Sequence, residues 1–156
     1  MKSAFPTHVR RFAALPLVLA AFTLAACDDD DDSTTPPDPV EWEAELEGAG
    51  EFEEVTGVAA VLSTQSKFEA TIEIQGAPAD ATFAWTVAAG SCAQPGNAVG
   101  AANAYPDLEV GEDGTAEAEA EVTAALNASG NYIVHVIDDS GDEPVTVACG
   151  ALAKQD

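Results

Sequence analysis

The chain carries 28 Asp and Glu against five Lys and Arg over 156 residues, a formal net charge of −23. A surface this acidic repels nucleic acid and anionic lipid headgroups, which excludes both as electrostatic partners. Apolar residues make up 47% of the sequence, enough for one hydrophobic core in a domain of ordinary size.

The first 26 residues differ from the rest. Lys2, Arg10 and Arg11 form a basic start, and residues 12–26 form a short apolar run of about fifteen residues. A membrane-spanning helix needs roughly 20. A charged start, a short apolar run and small residues before a break describe a secretory signal. The break is Leu24-Ala25-Ala26-Cys27. That order resembles the bacterial lipoprotein signal, which implies cleavage before Cys27 and lipidation of its thiol. An ordinary signal cleaved after Ala26 is the alternative. It would leave an exposed free thiol in an oxidising compartment, an unfavourable outcome. Removal of the signal leaves Lys67 and Lys154 against all 28 acids, a difference of −26. Carboxylates at this density repel one another, and salt screens them, with a Debye length near 3 Å at 1 M against about 10 Å at 0.1 M. The composition is therefore expected of a halophilic protein that needs high salt.

Residues 27–39 follow as anchor and tether. "DDDDDSTTPPDP" (28–39) is acidic, proline-rich and without apolar area to bury, so it is expected to stay disordered. Twelve residues reach at most about 40 Å. A calcium site spaces its oxygen ligands around a turn, which a straight aspartate run does not do.

From Val40 the chain changes to a two-residue period. "VEWEAELE" (40–47) puts Val40, Trp42, Ala44 and Leu46 on one face and four glutamates on the other. "KFEATIEI" (67–74) and "TAEAEAEV" (115–122) repeat the pattern. Strict alternation marks a half-buried strand, and here it overrides the helix propensity of Ala and Glu. Further strands are expected at 55–62, 82–87, 107–110, 131–137 and 145–152. With Gly, Pro, Asn and Asp between them, about eight strands make an all-β, antiparallel Greek-key β-sandwich over residues 40–156. The longest connection, 88–106, is expected to be irregular, and long loops are often functional.

Two cysteines remain besides Cys27. After export Cys92 and Cys149 are expected to form one disulfide closing about 57 residues, for which the chain-entropy model gives roughly 4 kcal/mol. Two free buried thiols are the alternative. Asn127-Ala128-Ser129 matches a glycosylation acceptor and is read as an ordinary turn.

Three stretches, "GSC" (90–92), "DLEVGEDGTA" (107–116) and "YIVHV…ACGAL" (132–152), occur in an order that resembles the bacterial copper/zinc superoxide dismutases. The chordin-like domains share the Tyr-x-x-His ending. The resemblance covers most of residues 70–152. It implies an eight-stranded Greek-key sandwich with a disulfide between a loop cysteine and the Ala-Cys-Gly strand. It also implies a metal site, and this chain departs from it there. The family's copper-binding His-x-His pair falls on Trp85 and Val87, its zinc aspartate near Ala104, and its substrate-guiding arginine on Thr146. Only His135 meets a copper-ligand position, a weak candidate metal residue. One imidazole cannot make a copper or zinc site, which needs several nitrogen or sulfur ligands. No cofactor and no enzymatic activity are therefore expected.

Other chemistry is equally thin. Ser91 and Ser129 have no base in a recognisable motif. Trp42, Trp85 and Tyr105 could line a ligand site, but Trp42 and Trp85 fall in strand patterns that assign them to the core. The expected protein is a membrane-anchored, non-catalytic module of a bacterial cell envelope, periplasmic or surface-exposed. Its partners would be the membrane, through the lipid on Cys27, and an envelope protein or polymer. A dismutase-type metal protein and a calcium-assisted adhesion or glycan-binding module are the alternatives.

Overall fold

A computed structural model describes residues 38–155. The expected signal, Cys27 and the expected tether up to residue 37 lie outside the described residues. The described chain is all-β, with ten strands: β1 Val40–Gly48, β2 Thr56–Ser63, β3 Phe68–Gln75, β4 Thr82–Ser91, β5 Gln94–Ala98, β6 Leu108–Glu109, β7 Ala116–Val122, β8 Tyr132–Asp138, β9 Val145–Ala151 and β10 Ala153–Lys154. All pairings are antiparallel.

The main hydrogen-bonded path runs β5-β4-β8-β9-β1-β2-β3-β7, with β10 added to β1 and β6 to β4. The meander β1-β2-β3 forms one half. The chain then crosses to β4 and β5, returns to lay β7 beside β3, and crosses again to set β8 and β9 beside β4. This is the expected Greek-key exchange. The two halves join at two rungs, Glu47 opposite Cys149 and Gly48 opposite Ala148. There the backbones approach so closely that a Cβ on Gly150 would run into the carbonyl oxygen of Glu45. The sheet curls, and the inner rows of both halves share one core. Trp42, Phe68 and Ile72 come from one half, and Phe83, Trp85 and Val134 from the other.

Alternation supplies that core as expected. In β3 Phe68, Ala70, Ile72 and Ile74 are buried while Glu69, Thr71, Glu73 and Gln75 are exposed. β1 and β7 follow the same parity. Two small strands, β5 and β10, raise the expected count of eight to ten.

The connection 88–106 is not irregular throughout. β4 extends to Ser91 and turns back into β5 as a hairpin, with a register shift between Ala88 and Gly90. Gly90 sits at φ 110°, a conformation open to glycine and strained for other residues. β5 ends the sheet path, so Pro95 costs no ladder bond on its free side. A run of small residues with Gly and Pro carries no alternation, which is why the hairpin was not readable.

On the outer face the register sets like charges opposite each other. Glu69 faces Glu121 and Glu73 faces Glu117 across β3 and β7. Directly opposed like charges destabilise a sheet. Lys67 Nζ answers the first pair, at 3.3 Å from Glu69 Oε1 and 2.7 Å from Glu121 Oε2. Its hydrogen bond holds the Glu121 carboxyl below the usual range and raises the Lys67 ammonium. β2 lies between the acidic rows of β1 and β3 and presents Thr56, Val58, Ala60 and Leu62 instead.

Melting temperature is expected to climb between 0.1 M and 1 M NaCl as these carboxylates are screened. Lys67→Gln should melt below the wild type at 0.1 M and match it at 1 M. Equal separation at both salt concentrations, read by circular dichroism, would show that Lys67 acts through packing instead.

Candidate functional site

His135 and the disulfide share one neighbourhood on the outer face of the β4-β8-β9 half. His135 lies opposite Thr86 of β4 and Cys149 of β9. A register shift between Val136 and Ile137 brings Thr146 within reach, and His135 Nε2 shares a 2.9 Å hydrogen bond with Thr146 Oγ1. The imidazole is half-buried, and burial holds its pKa below the ordinary 6.5. Thr146 is the residue on which the sequence resemblance places a guiding arginine. Here it is the hydrogen-bond partner of His135, the single histidine among the described residues.

Trp85 and Val87 are the residues on which the sequence resemblance places a His-x-His pair. Both face the core, at 1% and 0% exposure. Thr86 shares a face with His135 because the two are directly paired, so Trp85 and Val87 point to the other side of the sheet. The fold does not bring these three positions together. Ala104 ends a short 3-10 turn, Ala102–Ala104. Among the described residues, no group of three or more His, Cys, Asp or Glu is arranged to hold a metal ion.

Cys92 and Cys149 form the expected disulfide, with their Cα atoms 5.8 Å apart. Cys92 lies in the turn of the β4–β5 hairpin, and Cys149 lies in β9 with β1 on one side and β8 on the other. The bond therefore ties the hairpin to the strand that joins the two halves.

The aromatic candidates are core residues. Trp85 Nε1 donates to the carbonyl of Pro106 at 2.7 Å, and the Tyr105 hydroxyl donates to the carbonyl of Val99 at 2.7 Å. Burial pushes the Tyr105 phenol up to about 12, so it stays neutral. The Trp85 bond pins the segment after β5 against β4, the Tyr105 bond closes that segment on itself, and the Trp85 and Tyr105 rings meet edge to face. Trp42 packs edge to face on Tyr132. Ser129 donates from its backbone N–H and its hydroxyl to Asn127 Oδ1, and Gly130 N–H closes onto the Asn127 carbonyl, so this segment is a turn.

The sequence did not reveal a groove of about 890 Å³ on the outer face. Glu43, Glu45, Glu47, Glu73 and Glu117 line it together with Val58, Cys92 and Cys149. Its sequence signal is the absence of glutamate from β2, which "GVAAVL" hides by being apolar at both parities. No protein-family model matches the chain, and comparison with curated proteins finds no match.

Because folding favours neutral His135, the unfolded chain takes up its proton first as pH falls. The stability His135 provides is complete above pH 6.5 and is lost as pH falls through its lower folded value. Melts from about pH 7.5 to pH 5 should show the wild type losing ground to His135→Gln, and parallel curves would contradict this. The double substitution Cys92→Ser/Cys149→Ser should cost about 4 kcal/mol. A urea titration would read that as a lowered midpoint, and an unchanged midpoint would leave the disulfide without a stabilising role.

Proposed function

We propose that the chain is a lipid-anchored protein of a bacterial cell envelope whose sandwich is a non-catalytic binding or structural module of the dismutase type. The observation that carries the non-catalytic part is the parity of β4. Trp85 and Val87 lie in the core, while His135 lies on the opposite face and is bonded to Thr146. A single half-buried imidazole offers one ligand where copper needs several. A surface with two lysines among the described residues also repels an anionic substrate such as superoxide.

The dismutase-type reading is supported by the Cys92–Cys149 bond between a loop and the Ala-Cys-Gly strand and by the Greek-key strand order. The anchoring reading is supported by Leu24-Ala25-Ala26-Cys27 at the end of the short apolar run, directly before the acidic, proline-rich residues 28–39. The module would then stand off the membrane on its own tether, held away from anionic headgroups by charge.

Labelled palmitate fed to bacteria expressing the chain should enter the wild type and not Cys27→Ser, and the wild type should sediment with membranes. Labelling of both proteins, or of neither, overturns the anchor. Stoichiometric, tight copper binding by the monomer, followed by absorption spectroscopy, would overturn the non-catalytic reading independently.

A further inference from the structure

The outer face of β1-β2-β3 combines features that neither a solvated acidic sheet nor a plain hydrophobic patch requires. The large hydrophobic residues most exposed are Val58 at 56%, Val145 at 42% and Leu62 at 39%. Two of these three share the outer row of β2, with Ala60 between them. Register places a carboxylate on each side of both. Val58 lies opposite Glu45 of β1 and Glu73 of β3, and Leu62 lies opposite Glu41 and Glu69. With strands about 4.8 Å apart, each aliphatic residue sits midway between acids roughly 10 Å from one another. None of the residues lining the groove that contains Val58 is basic. The only ion pairs among the described residues engage Lys67 with Glu69 and Glu121, leaving Glu45 and Glu73 without a cation.

We propose that this face docks an extended, basic, amphipathic segment of a partner protein. Apolar side chains of that segment would rest on Val58, Ala60 and Leu62. Its Lys or Arg side chains would reach the glutamate rows on either side. Charge complementarity selects the sign of the partner, and the exposed aliphatic row selects a peptide over a simple polycation, which brings no branched apolar groups to cover Val58 and Leu62. β2 spans about 27 Å at roughly 3.4 Å per residue, the length of an extended segment of about eight residues. This proposal rests on the reading of the chain as a binding module and names its partner's chemistry.

The test uses the purified, disulfide-bonded full chain and two labelled eight-residue peptides, one alternating Lys with Leu and one alternating Lys with Gly. Fluorescence anisotropy at 0.15 M NaCl should show the Lys-Leu peptide binding at least tenfold more tightly than the Lys-Gly peptide. Val58→Thr/Leu62→Thr, which keeps β-compatible residues at exposed positions, should remove that preference. Glu45→Gln/Glu73→Gln should weaken both peptides. On the wild type, the Lys-Leu peptide should shift the methyl resonances of Val58 and Leu62, a readout that needs no variant. Equal binding of the two peptides, equal displacement by spermidine, or unshifted methyl resonances would each overturn the proposal and leave β2 as a neutral spacer between acidic rows. These outcomes are independent of palmitate labelling and copper binding, so failure of the docking face and failure of the wider reading are distinguishable.

Discussion

The pleat of a β-strand sends successive side chains to opposite faces, and in β1, β3 and β7 it sorts carboxylates from the core. Glu41, Glu43, Glu45 and Glu47 alternate with Trp42, Ala44 and Leu46, and the sheet inherits one acidic and one apolar face. The apolar face has to be covered, and the chain covers it with the other half of the same sheet. The acidic face has to tolerate its own charge. It does so through a neutral row on β2, through Lys67 between Glu69 and Glu121, and through exposure to water. A one-residue slip of β3 would exchange Phe68, Ala70, Ile72 and Ile74 for Glu69, Thr71, Glu73 and Gln75 in the core, so burial and charge enforce the same register.

The join between the halves concentrates the remaining features. Cys149 is opposite Glu47 of β1 and opposite His135 of β8, and its sulfur is bonded to Cys92 in the β4–β5 turn. One residue of β9 therefore links the closure of the sheet, the disulfide and the histidine. The shift in register just beyond His135 turns Thr146 toward the imidazole. The hairpin carrying Cys92 is held by backbone and side-chain bonds of its own. Val99 N–H donates to the Val87 carbonyl, and the Tyr105 hydroxyl donates to the Val99 carbonyl. The polar groups used in this region bind parts of the fold to one another.

Much of the fold was legible because alternation is a local signal. Residues 40–47, 67–74 and 115–122 each declare both their structure and their buried side. The hairpin 88–98 was not legible, because Ala, Gly, Ser and Pro have little polarity contrast and its pairing depends on a register shift between Ala88 and Gly90. β10 is two residues long and exists because β1 offers it an edge. The candidate site was half legible. His135 and the cysteines could be named, but their shared neighbourhood depends on β9 lying between β1 and β8, which no local pattern encodes. The exposed row of β2 was hidden for a different reason. In "GVAAVL" both parities are apolar, so periodicity could not tell Val61, which is buried, from Val58 and Leu62, which are not.

By itself the sequence determined the all-β class, the inner and outer faces of three strands, the excess of acids and the scarcity of histidine. These follow from residue type and from a period of two, which survive in any arrangement of the strands. Only the tertiary structure decided that Trp85 and Val87 turn away from His135, that Cys149 lies where the halves meet, and that Val58 stands between Glu45 and Glu73. Each of those is a statement about which strand lies beside which. Neighbours in a Greek-key sheet come from distant parts of the chain, so their register is fixed by packing the whole core at once.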